Sequence, residues 1–247
     1  MIGNIGNTDK KEKGDVMGLL TEENALSRGD GEAAQANRNA FRNLGLAAVT
    51  FISAPRAGKT SILEQTLPVL RNDFNVVVIE GDLYTTFDAE RIRATGVPVW
   101  QIIPRTGRLM DAGMIAQALG QFPITGRELL VIERVGDLVS PHGFDLGEDS
   151  RVLVYSVTDG ADTPRKHPTM FRAANAVLLS KTDLLGRCGV SLEQLTDEIR
   201  AVNPRAAVLP VSCRTGEGVP EWTQWLREHV RSLRKRANRA AAFTAAN

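Results

Sequence analysis

Residues 47–60 read AAVTFISAPRAGKT, an apolar run that turns at Ser53 and closes on Gly58-Lys59-Thr60. The run is nearly continuous in apolar residues, as a strand buried on both faces should be. The turn after it matches the pattern G-x-x-x-x-G-K-[ST] except for Ser53 in the first glycine place. A turn of this kind points backbone N–H groups inward at phosphate oxygens. Gly58 permits close approach, Lys59 reaches the β- and γ-phosphates, and the Thr60 hydroxyl is placed to ligate Mg²⁺. Ala57 and Ser61 flank these residues in the same cradle. The helix that opens here adds its N-terminal partial charge to the anion site. Leu63, Leu67 and Leu70 give that helix an apolar stripe, with a kink expected at Pro68.

Working outward, short apolar runs recur at Asn75–Ile79, Pro98–Ile103, Glu128–Glu133, Arg151–Val157, Asn175–Ser180 and Ala206–Val211. Helical stretches separate most of them: Lys59–Leu70, Ala89–Ala94, Asp111–Leu119, Pro168–Ala174, Ser191–Val202 and Pro220–Leu233. Strand alternating with helix predicts an α/β fold, a mostly parallel sheet with helices on both faces, here of the P-loop NTPase type. We expect this domain to span residues 42–233. Before it, residues 1–41 read as an arm. Its first fifteen residues are too polar to offset the entropy of ordering, and an amphipathic helical arm is expected to start at Met17, Leu19 and Leu20, to be interrupted at Ser27–Gly31 and to resume at Ala33–Leu44. Residues 234–247 read as a basic, alanine-rich tail. Arg227, Arg231, Arg234, Lys235, Arg236 and Arg239 face only Glu228 along the chain. They suit either the C-terminal end of a helix dipole or a docking patch for an acidic partner.

The 247 residues are 43% hydrophobic and 24% charged, with a net charge of +1, so no global field draws the chain to nucleic acid or membrane. No apolar run is long enough to span a bilayer, and the polar N-terminus lacks a secretion signal. Two cysteines, Cys188 and Cys213, cannot make a disulfide framework or a four-thiolate metal site. His167 and His229 are isolated and read as surface residues. A cytoplasmic enzyme or switch is what remains.

Two later loops bear on the base. Ser180-Lys181-Thr182-Asp183 follows a strand and stands in the place of an N-K-x-D motif. A carboxylate at Asp183 accepts from guanine N1–H and from its exocyclic amine, a pair adenine does not offer, while the Lys181 stem lies along the base plane. By itself the pair reads equally well as surface charges at a strand end. Ser180 replaces Asn and should remove an amide tether. After the next strand comes Ser212-Cys213-Arg214-Thr215-Gly216, similar to an S-A-x-x-G loop, where the Cys213 backbone N–H would face guanine O6. Three loops in this order favour GTP over ATP. Acids at two further strand ends complete the set. Asp82 is a candidate to hold Mg²⁺, directly or through water, or to orient the attacking water. Glu133, with Gly136 as a γ-phosphate sensor, is a candidate outer carboxylate of the same ion. The catalytic candidates are therefore Lys59, Asp82 and Glu133.

Several longer stretches carry a resemblance: AGKTSILEQTL (57–67), VIEGDLYTTFDAERIRATGVPVWQI (78–102), FDLGEDSRVLVYSVTDGADTPRKHPTMFRAA (144–174), SKTDLL (180–185) and VNPRAAVLPVSCRTGEG (202–218). They resemble the hydrogenase and urease nickel-incorporation GTPases, SIMIBI-class proteins, and among them the HypB family. LLTEENAL (19–26) and AQANRNAFRNLG (34–45) are similar to that family's N-terminal helices. Ser in the first loop position is common there. The resemblance implies a GTPase that hydrolyses GTP to GDP slowly, forms a GTP-dependent homodimer, and works with a small zinc-containing metallochaperone to load a client metalloenzyme.

One part of the pattern departs. The family's metal site uses Cys-His in T-G-K-G-C-H-L-D-A and a further Cys in N-V-G-N-L-V-C-P. By the same resemblance Arg108 stands on that Cys, Leu109 on the His and Ser140 on the other Cys, and Arg134 replaces the Asn. Thiolate and imidazole are what a nickel or zinc site needs, so no transition-metal site is expected, His142, Met110 and Asp111 being poor substitutes. Three functions are compatible with these residues: a slow GTPase in metallocentre assembly that leaves nickel to a partner, a non-hydrolysing GTP-dependent dimeric scaffold, or a GTPase chaperone of a cofactor enzyme without nickel.

Overall fold

The computed structural model describes residues 17–21, 30–81, 86–104, 110–134 and 145–245. In chain order the strands are β1 (Met17–Thr21), β2 (Ala47–Ser53), β3 (Val76–Gly81), β4 (Val99–Ile103), β5 (Leu129–Arg134), β6 (Ser150–Ser156), β7 (Ala176–Ser180) and β8 (Ala207–Val211). The helices are α1 (Asp30–Asn43), α2 (Lys59–Leu70), α3 (Phe87–Ala94), α4 (Ala112–Gln121), α5 (Thr163–Lys166), α6 (Pro168–Ala173), α7 (Leu185–Cys188), α8 (Leu192–Val202) and α9 (Val219–Ala245). One sheet contains all eight strands in the order β1-β4-β3-β5-β2-β6-β7-β8, and every described pair is parallel.

Alternation along the strands assigns the two faces. Val49 and Phe51 of β2, with Val78, Val131 and Val152, point to the side covered by α2, α3 and α9. Ala48, Val77, Ile79, Leu130 and Ile132 point to the other side, under α1 and α4, and Leu153, Tyr155, Val177 and Leu179 lie there under α6 and α8. Trp222 anchors α9 to the first face. It is fully buried, its ring meets Phe51 edge-on at 5.9 Å, and its indole N–H donates to the Thr66 hydroxyl at 2.9 Å.

The seven strands expected from sequence are present, and an eighth corrects the expectation for the arm. Met17–Thr21 is not the start of a helix; it pairs with β4 from Met17 opposite Val99 to Thr21 opposite Ile103. An exposed edge at β4 offers a row of backbone donors and acceptors, and these five residues, with Gly18 among them, are a poor helix start. The helical part of the arm is α1, and a signal outside it holds it down. Asn37 is buried and its amide donates to Ala112 O at 2.8 Å and Leu146 O at 2.9 Å, while Arg38 grips Asp145 through two bonds of 3.2 and 2.8 Å. Gly147 makes this docking possible. With φ +90°, a Cβ there would stand 2.5 Å from Ala34 O and 2.7 Å from Asn37 Cβ. Gly147→Ala is therefore expected to lower stability by about 2–3 kcal/mol, read as a lower urea midpoint. An unchanged midpoint would mean that α1 does not dock on this turn.

The C-terminal boundary also moves. Residues 234–245 continue α9 rather than forming a separate tail, as their Ala, Arg and Lys content favours. Its cations do not face Glu228 alone: Arg227 and Arg231 reach Asp73 at 2.7 and 3.0 Å, and Arg234 reaches Glu128 at 2.5 Å. His229, read as a surface residue, is half-buried; its ring stacks on Trp225 at 4.7 Å and shares a 2.9 Å hydrogen bond with Ser150 Oγ. α2 runs through Pro68 to Leu70 as one helix.

Candidate functional site

The site lies over the carboxyl ends of β2, β5 and β7, with β6 between β2 and β7. In an open parallel sheet this is where a crevice opens, because successive connections leave a central strand toward opposite sides. From β2 the chain runs to β3, on the far side of β5; from β5 it crosses to β6 on the other flank of β2.

The turn after β2 takes the shape its motif requires. Gly58 caps α2 in the left-handed region with φ 97°, and Arg56 is also left-handed with φ 64°, an unusual state for a residue with a side chain. Lys59 is 8% exposed and Glu133, at the end of β5, is fully buried. Glu133 Oε1 accepts from Lys59 Nζ at 2.6 Å and from the Thr60 hydroxyl at 2.7 Å. Two adjacent candidates are thus joined to one carboxylate far along the chain, since parallel pairing of β2 with β5 sets Phe51 opposite Glu133. A lysine carries three N–H donors, so Lys59 can hold Glu133 and a phosphate oxygen together. Thr60 donates to the carboxylate and keeps its lone pairs for a cation. A hydroxyl and a carboxylate are the hard oxygen donors that suit Mg²⁺.

The loops after β7 and β8 are equally built. Asp183 Oδ1 accepts from the Ser212 hydroxyl and Oδ2 from Arg214 Nε, each at 2.6 Å. The Ser212 hydroxyl, then the Arg214 guanidinium, hold this carboxyl below the usual carboxylate range, so at neutral pH it offers only acceptors. Lys181 is left-handed, φ 61°, and its Nζ donates to Arg56 O at 2.7 Å. Ser180 corrects an expectation: its hydroxyl donates to Ala57 O at 2.6 Å, so a tether between this loop and the phosphate turn is kept by a hydroxyl in place of an amide. Cys213 O accepts from Gln65 of α2 at 2.6 Å. Burial, then Glu64, pushes the Cys213 thiol up to about 11, which leaves it protonated and unreactive at neutral pH.

Two adjoining cavities run between these groups. One of about 750 Å³ is lined by Gln65, Ser180, Lys181, Asp183, Cys213 and Arg214, among others. The second, about 500 Å³, is lined by Ser53, Arg56, Lys59, Thr60, Asp88 and Arg91, among others. Ala57, Gly58, Ser61 and Lys181 line both. The candidates Ala57, Gly58, Lys59, Thr60, Ser61, Glu133, Lys181, Asp183, Ser212 and Cys213 are therefore gathered at one end of the sheet. Asp82 and Gly136, and the positions Arg108, Leu109, Ser140 and His142, lie outside the described residues. Arg134 is described and buried; burial lowers its guanidinium from the usual arginine range. Sequence reading missed Gln65, Arg91 and the pairing of Arg214 with Asp183. None of these has a motif of its own, and only proximity in the fold reveals them.

The nucleotide-binding domain model of CobW/HypB/UreG matches residues 48–210. The chain is 45% identical over 219 residues to a hydrogenase maturation factor HypB of Azotobacter vinelandii, covering 89% of this chain and 72% of that protein. It is 42% identical over 193 residues to HypB of Escherichia coli K12, covering 78% and 67%. Among solved structures it is similar to HypB from Archaeoglobus fulgidus (TM-score 0.74, 34% identity, 81% of this chain and 98% of that one). It is also similar to HypB from Helicobacter pylori in complex with nickel (TM-score 0.76, 30% identity, 83% and 96%).

Proposed function

We propose, from the premise that this chain belongs to the CobW/HypB/UreG family, that it is a GTP-binding protein with slow Mg²⁺-dependent GTP hydrolysis. It acts in the cytoplasm as a HypB-like maturation factor in the assembly of a hydrogenase-type metallocentre. The observation that carries this reading is one continuous pair of cavities with Asp183, a double acceptor, at one end and Lys59, Thr60 and Glu133 joined at the other. A guanine at the first end places its phosphates at the second. Mg²⁺ bound there would neutralise charge on the β- and γ-phosphates. Lys59 supplies a fixed cation beside them, and Glu133 orients Lys59 and the Thr60 hydroxyl. Asp82 and Gly136 are proposed for the same side, as holder of Mg²⁺ or water and as γ-phosphate sensor.

Arg108, Leu109 and Ser140 stand where thiolate and imidazole would be needed, so the nickel ion is proposed to be handled by a small metallochaperone partner and not by this chain. A GTP-dependent homodimer would be the form that meets that partner and the client enzyme. Neither nucleic acid nor membrane belongs to the proposal; among the described residues no helix is long and apolar enough to cross a membrane.

The test is a single-turnover assay with GTP and ATP, with and without Mg²⁺. It is paired with elemental analysis after loading with a non-hydrolysable GTP analogue, Mg²⁺ and excess Ni²⁺ or Zn²⁺, then desalting. The expected result is slow turnover of GTP alone, dependent on Mg²⁺, with no transition metal retained. Bound GTP without turnover would replace the enzyme by a dimeric scaffold. Retained Ni²⁺ or Zn²⁺, lost in His142→Ala, would show a rebuilt metal site.

A further inference from the structure

A nucleotide reaching from Asp183 to Lys59 must cross from the larger cavity to the smaller, and Ser61 lines both. With the base at one end and the terminal phosphates at the other, the group at the crossing is the α-phosphate on the ribose 5′ carbon. Arg91 of α3 reaches this point. It lines the phosphate-side cavity, and its Nη2 donates to Ser61 Oγ at 3.1 Å. Glu64 of α2 holds the same guanidinium through bonds of 2.9 and 2.6 Å, and Asp88 adds a longer one at 3.3 Å.

We propose that Arg91 is a positioning residue for the nucleotide: it orients the Ser61 hydroxyl onto the α-phosphate and brings a fixed positive charge to that group. The proposal rests on the guanine-nucleotide reading above. A hydroxyl has one donor and two acceptor sites. With Arg91 donating into one lone pair of Ser61 Oγ, the Ser61 proton is free to turn toward a phosphate oxygen. Glu64 and Asp88 fix the guanidinium before the ligand arrives, so little side-chain freedom is lost on binding.

A plain staple between α2 and α3 is the competing role, and the energetics separate the two. The Arg91–Glu64 pair is partly exposed, with 41% and 35% of the side chains accessible, and exposed pairs contribute little to folding. Loss of the pair alone should leave the fold almost unmoved, so a large loss of nucleotide affinity in an Arg91 variant reports on the ligand.

The experiment measures dissociation constants of GMP, GDP and GTP by competition with a fluorescent GDP analogue. It uses the wild type, Arg91→Ala, Arg91→Lys, Ser61→Ala and the Arg91→Ala/Ser61→Ala double variant, with thermal melts of each. Arg91→Ala is expected to weaken all three nucleotides alike, by about ten- to thirtyfold, the scale of a charge-assisted hydrogen bond. Arg91→Lys keeps the charge but loses the planar fork that holds both Glu64 oxygens and Ser61 in one fixed geometry, so about a three- to fivefold loss is expected. The double variant should bind no worse than Arg91→Ala, because the Ser61 contact is already misaligned.

Unchanged affinity in Arg91→Ala overturns the proposal. So does a loss confined to GTP, which would assign the charge to the γ-phosphate, and so does strict additivity of the two single changes. If Arg91→Ala fails to fold, Arg91→Lys decides, and unchanged binding there overturns the proposal as well. A wild-type protein that binds none of the three nucleotides overturns the nucleotide reading itself, a distinct result.

Discussion

Lys59→Ala will abolish GTP turnover and, in the same protein, lower the stability of the fold. The two effects share one geometry. Lys59 Nζ lies 2.6 Å from a Glu133 carboxylate that is fully buried. Removing one partner of a buried pair leaves the other uncompensated, at about 3–5 kcal/mol. For the nucleotide, Lys59 is proposed as the cation beside the β- and γ-phosphates, and loss of one preorganised charge stabiliser lowers kcat by about 10²–10³-fold, which takes a slow turnover below detection. A second substitution separates the two. In Lys59→Ala/Glu133→Gln the buried charge is gone, so the urea midpoint should recover most of its loss while turnover stays absent. Turnover surviving in Lys59→Ala would remove the phosphate assignment, and an unmoved midpoint would mean that Glu133 is better solvated than its burial indicates.

The second large effect belongs to the base. Asp183→Asn should weaken GTP by about 10²–10⁴-fold, two charge-assisted hydrogen bonds at about 1.5–3 kcal/mol each. In the proposed site the carboxylate would present two acceptors to guanine N1–H and the exocyclic amine, whereas an amide presents one acceptor and one donor. Its donor would oppose the amine of guanine. Xanthine carries a carbonyl at that place and accepts from the amide, so xanthosine triphosphate should become the better ligand. Competition between the two nucleotides on wild type and variant measures the exchange. Retained GTP preference in Asp183→Asn would show that the base is read elsewhere, and the guanine assignment would fall while the phosphate turn stood.

Both results depend on residues whose types were legible in the chain and whose arrangement was not. The phosphate turn was read from the consecutive residues 47–60 because strand, turn and helix follow one another there, and local chemistry dictates each step. The seven strands from β2 to β8 came within about two residues of their places for the same reason: parallel strands packed in a sheet are nearly continuous apolar runs punctuated by turns. Met17–Thr21 misled because its pattern is short, and its pairing is supplied by β4, some eighty residues on. The cations of α9 misled because the partners of Arg227, Arg231 and Arg234, which are Asp73 and Glu128, lie on distant loops.

The same division runs through the site. Ser180 looked like a lost tether when judged by type against asparagine; its hydroxyl meets Ala57 O only because β7 ends beside the phosphate turn. Asp183 was identifiable as an acceptor, but Ser212 and Arg214, which hold it ionised, arrive from the loop after β8. By itself, the sequence determined a nucleotide-binding fold and the candidates for its chemistry, which are a phosphate turn, a carboxylate for the base and an acid at the end of β5, because each is a local arrangement of residue types along a few residues. The tertiary structure alone decided that Glu133 grips Lys59 and Thr60, that Arg91 stands at Ser61, and that Asn37 locks α1 onto the body. The physical reason is register: contacts between residues tens to a hundred positions apart are set by how parallel strands align and which helix covers which face, and no local pattern encodes that alignment.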